Sequence, residues 1–174
     1  KKAHLELKAD KIYAEVDIKV NQFEHYEIGT GRHDTEFPAY FYFAHKDFPG
    51  LHTYFGLNLF VSNSDNYKFN WSKDSQSIKR IYKIPQSDVY GTKANSLCPE
   101  KNTPVIGEWR HVRIDITSHV ENFIRLANED NTFGKPVTLE DFWISGMNIG
   151  FEIWGNYKAS FEYKNVQLIC YDKK

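Results

Sequence analysis

The chain has 174 residues, which is enough for one domain with a substantial hydrophobic core. Its 22 basic and 23 acidic side chains nearly cancel, which argues against the strong positive field that a general nucleic-acid-binding protein needs. No apolar run approaches the ~18 residues of a membrane-spanning helix. The first residue is Lys1 and no signal peptide is recognisable, so we expect a processed product or a module of a larger protein.

Strands in the first half are predicted from the alternation of apolar and polar residues. Residues 12–20 place aliphatic side chains on one face and mainly polar side chains on the other, which is typical of an antiparallel sheet with one solvent-facing side. Residues 23–38 have little periodicity and predict a long loop. Further strands are predicted over residues 39–46, 52–61, 67–71 and 78–84.

One defined helix is predicted in the second half. The sequence Ser-His-Val-Glu at residues 118–121 matches a capping box, and the apolar spacing that follows predicts a helix near residues 118–128. Residues 85–104 are rich in turn formers and predict a surface loop. The remaining predicted elements are strands at 109–117, 147–155 and 160–171, and one helical turn at 138–141.

These elements predict a single domain over residues 1–174. Its fold class is all-β, an antiparallel two-sheet β-sandwich (jelly roll) with one short helix. Two cysteines, Cys98 and Cys170, are too few for a disulfide framework, and the sequence leaves their pairing open. The core is expected to contain the inward-facing residues Val16, Ile18, Phe41, Phe43, Leu57, Leu59, Val112, Ile114, Phe151 and Ile153.

The strand sequence Gly-Phe-Glu-Ile-Trp-Gly at residues 150–155 is the most informative stretch for function. Phe151 and Ile153 alternate with Glu152 and Trp154, so one face presents a carboxylate beside a large indole. Proteins often hold a sugar ring in this way, because its C–H face stacks on the aromatic ring and its hydroxyls bond to polar groups. The alternative is that a neighbouring loop covers Trp154.

The strand that begins with Gly107-Glu108-Trp109 and runs to Thr117 resembles a late strand of jelly-roll carbohydrate-binding modules and lectin-like sandwiches. Residues 144–155 followed by 160–168 are similar to the final hairpin of such modules. The resemblance implies a non-catalytic, extracellular or cell-surface module that binds a polysaccharide and is often attached to a polysaccharide-degrading enzyme. Many such modules carry a structural calcium ion, but this sequence shows no calcium motif, so that cofactor stays an open alternative.

Other residues on predicted outward faces are candidates for ligand contact. His111 and Arg113 point the same way and could pair with a uronic carboxylate, so the predicted ligand is a neutral or mildly acidic polysaccharide. Their alternative role is in cross-strand salt bridges to Glu15, Asp17 or Glu152. The full set of predicted ligand-binding residues is Trp154, Glu152, His111, Arg113, Tyr40, Tyr42, Tyr54, Asn58 and Trp71, of which Trp71 is either a loop platform or a lid on the core.

Two other classes of function stay open. A small jelly-roll glycosidase would need two facing carboxylates, for which Glu15, Asp17, Asp115 and Glu152 are the outward candidates. A polysaccharide lyase or a metal site would draw on His25, Tyr26, His33 and His45, although their spacing matches no ligand motif. The third class is a structural or interaction domain of a surface protein or virion. Common hydrolase, phosphate-loop and dinucleotide motifs are absent from the sequence.

Overall fold

The computed structural model describes residues 5–6, 9–25, 34–61, 70–72, 78–85, 89, 106–155 and 157–172. Within these ranges the structure has ten strands, an α-helix, a short 3-10 turn and one further helical residue, Val89. Apart from Pro85 and Val89, the predicted loop at 85–104 lies outside the described residues. The strands are β1 (Leu5–Glu6), β2 (Lys11–His25), β3 (Asp34–His45), β4 (Phe48–Val61), β5 (Asn70–Ser72), β6 (Ile78–Ile84), β7 (Trp109–Asp115), β8 (Phe142–Ile149), β9 (Glu152–Trp154) and β10 (Tyr157–Tyr171). The helix α1 spans Thr117–Glu129, and the 3-10 turn spans Leu139–Asp141.

The strands form a large and a small sheet, as the prediction of a two-sheet all-β fold requires. The large sheet has the order β1-β8-β3-β4-β6-β5, with β9 pairing with β3, and the small sheet has the order β10-β2-β7. The prediction of purely antiparallel sheets is wrong, because β4 and β6 run parallel. A strand shows the same alternation whichever way its neighbour runs, so the sequence does not reveal this pairing.

Two predicted connections also differ from the structure. The predicted loop at 23–38 is shorter, since β2 continues to His25 and β3 begins at Asp34. The predicted final hairpin is wrong, because β9 pairs with β3 in the large sheet whereas β10 pairs with β2 in the small one. Gly155 lies between them with φ +94, a conformation that glycine adopts without strain, where the chain passes from one sheet to the other.

The hydrophobic core lies between the two sheets and under α1. Of the predicted core residues, the eight from Val16 to Ile114 are all buried. Aromatic rings stack across neighbouring strands of the large sheet. The ring centroids of Phe43 and Phe55 are 4.8 Å apart, and those of Phe55 and Tyr82 are 5.0 Å apart. Phe123 of α1 meets Phe43 edge-on at 5.4 Å, which fixes the helix against this sheet.

The prediction that Phe151 and Ile153 belong to the core is wrong. They are 45% and 36% exposed. The Phe151 ring centroid lies 5.7 Å from that of Phe161 on β10 and 6.4 Å from that of Phe37 on β3, so the ring contacts the edge of the core without being enclosed by it. The reason is its position: β8 ends at Ile149, and Phe151 lies at the margin of the large sheet, just before the three-residue strand β9.

The predicted helix is confirmed, but its predicted cap is not. No side-chain hydrogen bond caps the helix at its N-cap residue, Ile116. Instead the carboxylate of Asp115, the last residue of β7, accepts hydrogen bonds from the Thr117 amide at 3.0 Å and from the Thr117 hydroxyl at 2.5 Å. The predicted helical turn at 138–141 is confirmed as a 3-10 turn with a capping box.

Cys170 is a half-buried free cysteine, and burial raises the pKa of its thiol. Cys98, its predicted possible partner, lies outside the described residues. Within the described part of the chain, the helical segments are too short and too polar to cross a membrane.

His45 is a fully buried titratable side chain in this core. Its ring lies 5.1 Å from the rings of Phe48, Phe133 and Phe142. Its Nδ1 atom accepts a hydrogen bond of 3.0 Å from the Asp47 amide, which requires an unprotonated nitrogen. Burial lowers the pKa of His45 from its usual 6.5, so the folded protein holds this imidazole neutral.

We expect the free energy of unfolding to fall as the pH decreases below the usual histidine value of 6.5, since the unfolded state then binds a proton that folded His45 does not. Urea denaturation between about pH 7.5 and pH 5.5 measures this. His45→Phe should reduce the slope of the unfolding free energy against pH. The carboxylate of Asp141 acts on His45 electrostatically but does not change its own charge in this pH range. Its bonds with Lys46 and Thr138 lower its pKa to about 2. An unchanged slope in the variant would contradict the assignment.

The exposure of Phe151 generates a second prediction. Phe43→Ala removes a ring that is 1% exposed and should lower the free energy of unfolding by about 3–5 kcal/mol. Phe151→Ala should lower the free energy of unfolding by clearly less, because nearly half of that residue is already exposed to solvent in the folded state. Chemical denaturation of both variants measures the two decreases in unfolding free energy. Equal decreases would mean that Phe151 belongs to the core.

Candidate functional site

Three tyrosines lie together on the side of the large sheet opposite the core. Tyr40 and Tyr42 occupy alternate positions of β3, and Tyr54 lies on the adjacent strand β4. The Tyr54 ring centroid is 4.7 Å from Tyr42, in a stacked arrangement, and 5.4 Å from Tyr40. We call this side of the sheet, defined by Tyr40, Tyr42 and Tyr54, the tyrosine face. The predicted outward aromatics of β3 and β4 therefore share one sheet and one surface.

Glycines on neighbouring strands allow two of these rings to lie close to the sheet. Gly56 is the cross-strand partner of Tyr40, and Gly146 is the partner of Tyr42. A Cβ atom on Gly56 would lie 2.5 Å from Cε1 of Tyr40, and one on Gly146 would lie 3.3 Å from Cδ2 of Tyr42. The rings therefore occupy the space that side chains would fill at these two positions.

A buried ion pair supports the tyrosine face. Nζ of Lys83 lies 2.5 Å from Oε2 of Glu36, with side chains only 12% and 3% exposed. Lys83 also hydrogen-bonds with Tyr40, and its Nζ lies 5.8 Å from that ring's centroid. Burial favours a neutral lysine, but the interactions with Tyr40 and Glu36 outweigh it and raise the pKa of Lys83. Burial raises the pKa of Tyr40 to about 12, so lysine is charged and tyrosine neutral at physiological pH.

The carboxylate and indole of β9 extend this surface. Glu152 is the cross-strand partner of Glu36, and Trp154 is the partner of Asp34. Directly opposed residues of an antiparallel pair point to the same side, so Glu152 lies on the tyrosine face with Glu36. Trp154, two residues further along, points the same way. Glu152 is exposed and Trp154 is half-buried.

Burial divides the predicted ligand-binding residues of the tyrosine face into two groups. Tyr40 and Asn58 are only 6% and 1% exposed. Solvent reaches the side chains of Tyr42, Tyr54, Glu152 and Trp154. The tyrosine face therefore has accessible aromatic and carboxylate side chains beside buried polar ones.

His111 and Arg113 do not join this surface. They lie on β7 in the small sheet, directly opposite Asp17 and Glu15 of β2. Nδ1 of His111 is 2.7 Å from Oδ1 of Asp17, and Arg113 pairs with Glu15. The alternative role in cross-strand pairs is therefore confirmed for these two carboxylates. The hydrogen bonds of Asp17 with His111 and Asn165 lower its pKa, which keeps it ionised.

Trp71 lies on the core side of the large sheet. Its Nε1 donates a hydrogen bond of 2.9 Å to Oδ2 of Asp130, just beyond the end of α1. Its ring meets Phe123 of the helix edge-on at 5.9 Å, and the Arg80 guanidinium lies 5.5 Å from the indole centroid. Of the two predicted roles, the structure fits a lid on the core between sheet and helix.

Sequence reasoning missed Glu36, Lys83 and the two glycines. Glu36 fell within a predicted loop, where a buried role has no periodic signal. Alternation over residues 78–84 predicts β6, but isoleucines fall on both of its faces and leave the inward one undetermined. Lys83 is also a residue type that is rarely buried without a partner. Gly146 and Gly56 interrupt otherwise apolar strands, which is a known sign of a close approach by another group.

The other predicted sites are described only in part. Within the described residues, no three or more potential ligands lie together where they could hold a metal ion. His45 is in the core, whereas Tyr26, His33 and the side chain of His25 lie outside what the structure describes. The carboxylates Glu15, Asp17 and Asp115 lie on the small sheet with basic partners, away from Glu152, so the predicted carboxylate set does not converge.

Comparison with protein-family models gives no match, and comparison with curated proteins gives no significant relative.

The close approach of Tyr40 to Gly56 is directly testable. Gly56→Ala places a methyl group 2.5 Å from a buried ring, so we expect a loss of about 1–3 kcal/mol in unfolding free energy. Gly50→Ala is the matched control, because its Cβ would have no other heavy atom within 4 Å. Chemical denaturation of both variants measures the difference. Equal stability would mean that Tyr40 does not lie over Gly56.

Proposed function

We propose that this chain is a non-catalytic glycan-binding module of the jelly-roll class, which holds a polysaccharide on its tyrosine face. One observation carries the proposal: partly or fully exposed Tyr42, Tyr54, Trp154 and Glu152, from three strands, share the side of the large sheet that faces away from the core. Aromatic rings offer stacking surfaces to the C–H faces of sugars, and a carboxylate accepts hydrogen bonds from their hydroxyls.

The spacing of these groups favours a polymer over a single sugar. Trp154 lies opposite Asp34, and Tyr42 lies eight residues further along the same strand β3. At about 3.3 Å per residue, this separates the two aromatic positions by roughly 25 Å. A ligand that contacts both must extend over several sugar rings, so we propose a polysaccharide or a long oligosaccharide as the partner.

The buried layer gives the surface its rigidity. The Lys83–Glu36 ion pair connects β6 to β3, and the interaction of Lys83 with Tyr40 holds that ring over Gly56. Because these groups are buried, we assign them and Asn58 a supporting role beneath the ligand. A preformed platform loses little conformational entropy on binding, which favours affinity.

We propose an extracellular or cell-surface location, as the resemblance to jelly-roll carbohydrate-binding modules implies. The proposal includes attachment to a catalytic domain that degrades the bound polymer.

Trp154→Ala should weaken binding to a soluble polysaccharide by about 1–3 kcal/mol, because one stacking surface is lost. Trp109→Ala is the matched control, since Trp109 is 40% exposed but lies on β7 of the small sheet. Its removal should leave affinity unchanged. Isothermal titration with the polysaccharides that bind the wild-type chain, combined with thermal melts of each variant, measures both properties.

Three outcomes would count against this proposal. A lower melting temperature with unchanged affinity for Trp154→Ala would mean that the indole packs under a loop. Equal losses of affinity in the two tryptophan variants would mean that the tyrosine face is not the binding site. Release of reducing sugar, or of unsaturated products, during the titration would indicate a glycosidase or lyase instead.

A further inference from the structure

We infer that the small sheet carries a second ligand site, a pocket that binds a single neutral sugar unit. The pocket has a volume of about 470 Å³ and is lined by Asn21, Gln22, Phe23 and Glu24 of β2, by Ile106 and by Ser160 of β10. Small-molecule sites usually occupy roughly 300–1,000 Å³. The site lies on β2 and β10 rather than on the tyrosine face, so it goes beyond the proposed function.

The pocket lies at the point where β7 stops pairing with β2. The described pairing between these strands ends at Lys19, and Ile106 makes one further bridge to Val20. Phe23, beyond this bridge, is half-buried, and its ring centroid lies 5.0 Å from that of Phe60. Packing against the core therefore fixes the aromatic wall of the pocket.

A β-bulge in β2 brings polar side chains of the lining together. Gln22 lies opposite Ser160 in the register of β2 with β10. The next pair is Val20 with Phe161, so Asn21 is an extra residue in β2. Bulges re-aim side chains and are frequent beside active sites. Here two successive carboxamides, Asn21 and Gln22, line the same pocket, whereas regular alternation would place them on opposite sides of the sheet.

Carboxylates orient both carboxamides. Nδ2 of Asn21 donates a hydrogen bond of 2.7 Å to Oε1 of Glu162, and Nε2 of Gln22 donates one of 2.6 Å to Oε1 of Glu24. An ionised carboxylate only accepts hydrogen bonds, so these contacts fix which way each side-chain carbonyl points. Together with the Ser160 hydroxyl, the two carbonyl oxygens suit the hydroxyls of a sugar, which both donate and accept.

The composition of the lining indicates an uncharged ligand rich in hydroxyls. Small-molecule pockets are mostly apolar with a few polar groups, whereas four of the six residues here are polar. Glu24 is the single charged residue of the six, and Lys158 lies directly opposite it on β10. Opposed residues point to the same side, so these charges offset each other. A pyranose can satisfy the polar groups while its C–H face packs against Phe23.

The test uses monosaccharides, because a polymer presents few chain ends per unit mass. Glucose, galactose, mannose, xylose and N-acetylglucosamine are titrated into the wild-type chain by calorimetry and by saturation-transfer NMR. We expect at least one to bind with a dissociation constant in the millimolar range or tighter, as a ligand of about 10–15 non-hydrogen atoms allows. Glucuronate and glucosamine are the charged counterparts, and binding of these alone would overturn the neutral class.

Gln22→Ala should weaken this binding about three- to tenfold, because the pocket loses one hydrogen-bonding group. Gln167→Ala is the matched control. Gln167 also donates to a carboxylate on the small sheet, with Nε2 2.7 Å from Oε2 of Glu15, but it does not line the pocket. Its replacement should leave the binding unchanged. Ser160→Val replaces the hydroxyl with methyl groups and should also weaken binding, while thermal melts check that each variant is folded.

Failure of every monosaccharide to bind would overturn the inferred site and leave the proposed function, which is measured with polysaccharides, unaffected. Equal effects of the two glutamine variants would place the sugar outside the pocket. Loss of monosaccharide binding in Trp154→Ala but not in Gln22→Ala would assign it to the tyrosine face. Either of the last two results would overturn the pocket as the site.

Discussion

The stacking of Phe43, Phe55 and Tyr82 across β3, β4 and β6 is the contact on which the other features of the large sheet depend. Successive residues of a strand point to opposite sides, so a slip of one residue would exchange the two faces of that strand. The same register that stacks these three rings in the core therefore places Tyr40, Tyr42 and Tyr54 on the opposite surface. The Tyr82 hydroxyl extends the arrangement to α1, through bonds of 3.2 Å with His119 and 3.1 Å with Asn122.

The two outward surfaces of the sandwich have different chemistry. The small sheet carries the cross-strand ion pairs Lys11–Asp115 and Arg113–Glu15, and a cross-strand hydrogen bond between His111 and Asp17. Such partly exposed pairs add little stability and resemble an ordinary solvated surface. The tyrosine face instead has a buried ion pair, and Nζ of its Lys83 lies 5.8 Å from the centroid of the Tyr40 ring. This contrast is why we assign the ligand to the large sheet.

The buried Lys83–Glu36 pair joins two strands of the large sheet. A buried ion pair rarely stabilises a protein more than well-packed apolar residues would, because both charges lose their hydration. Lys83 on β6 and Glu36 on β3 lie on either side of β4, and Lys83 also hydrogen-bonds with Tyr40. The pair therefore fixes the position of the Tyr40 ring on the tyrosine face.

Much of the local structure is determined by the sequence alone. Alternation located β2, β6 and β7, helical spacing located α1, and the buried residues from Val16 to Ile114 followed from the same patterns. These features depend on neighbouring residues in the chain, whose spacing is visible in the sequence. Alternation also showed that a strand has two faces, but it carries no information about which strand lies beside it.

Tertiary structure alone decided the neighbours and, with them, the site. It placed β4 parallel to β6, separated β9 from β10, and moved His111 and Arg113 to a different sheet from Trp154. It also brought Glu36, from a segment with little periodicity, to Lys83 of β6, whose isoleucines lie on both faces in the sequence pattern. The physical reason is that pairing between distant strands depends on packing and loop closure over the whole chain, which the alternation within one strand does not record.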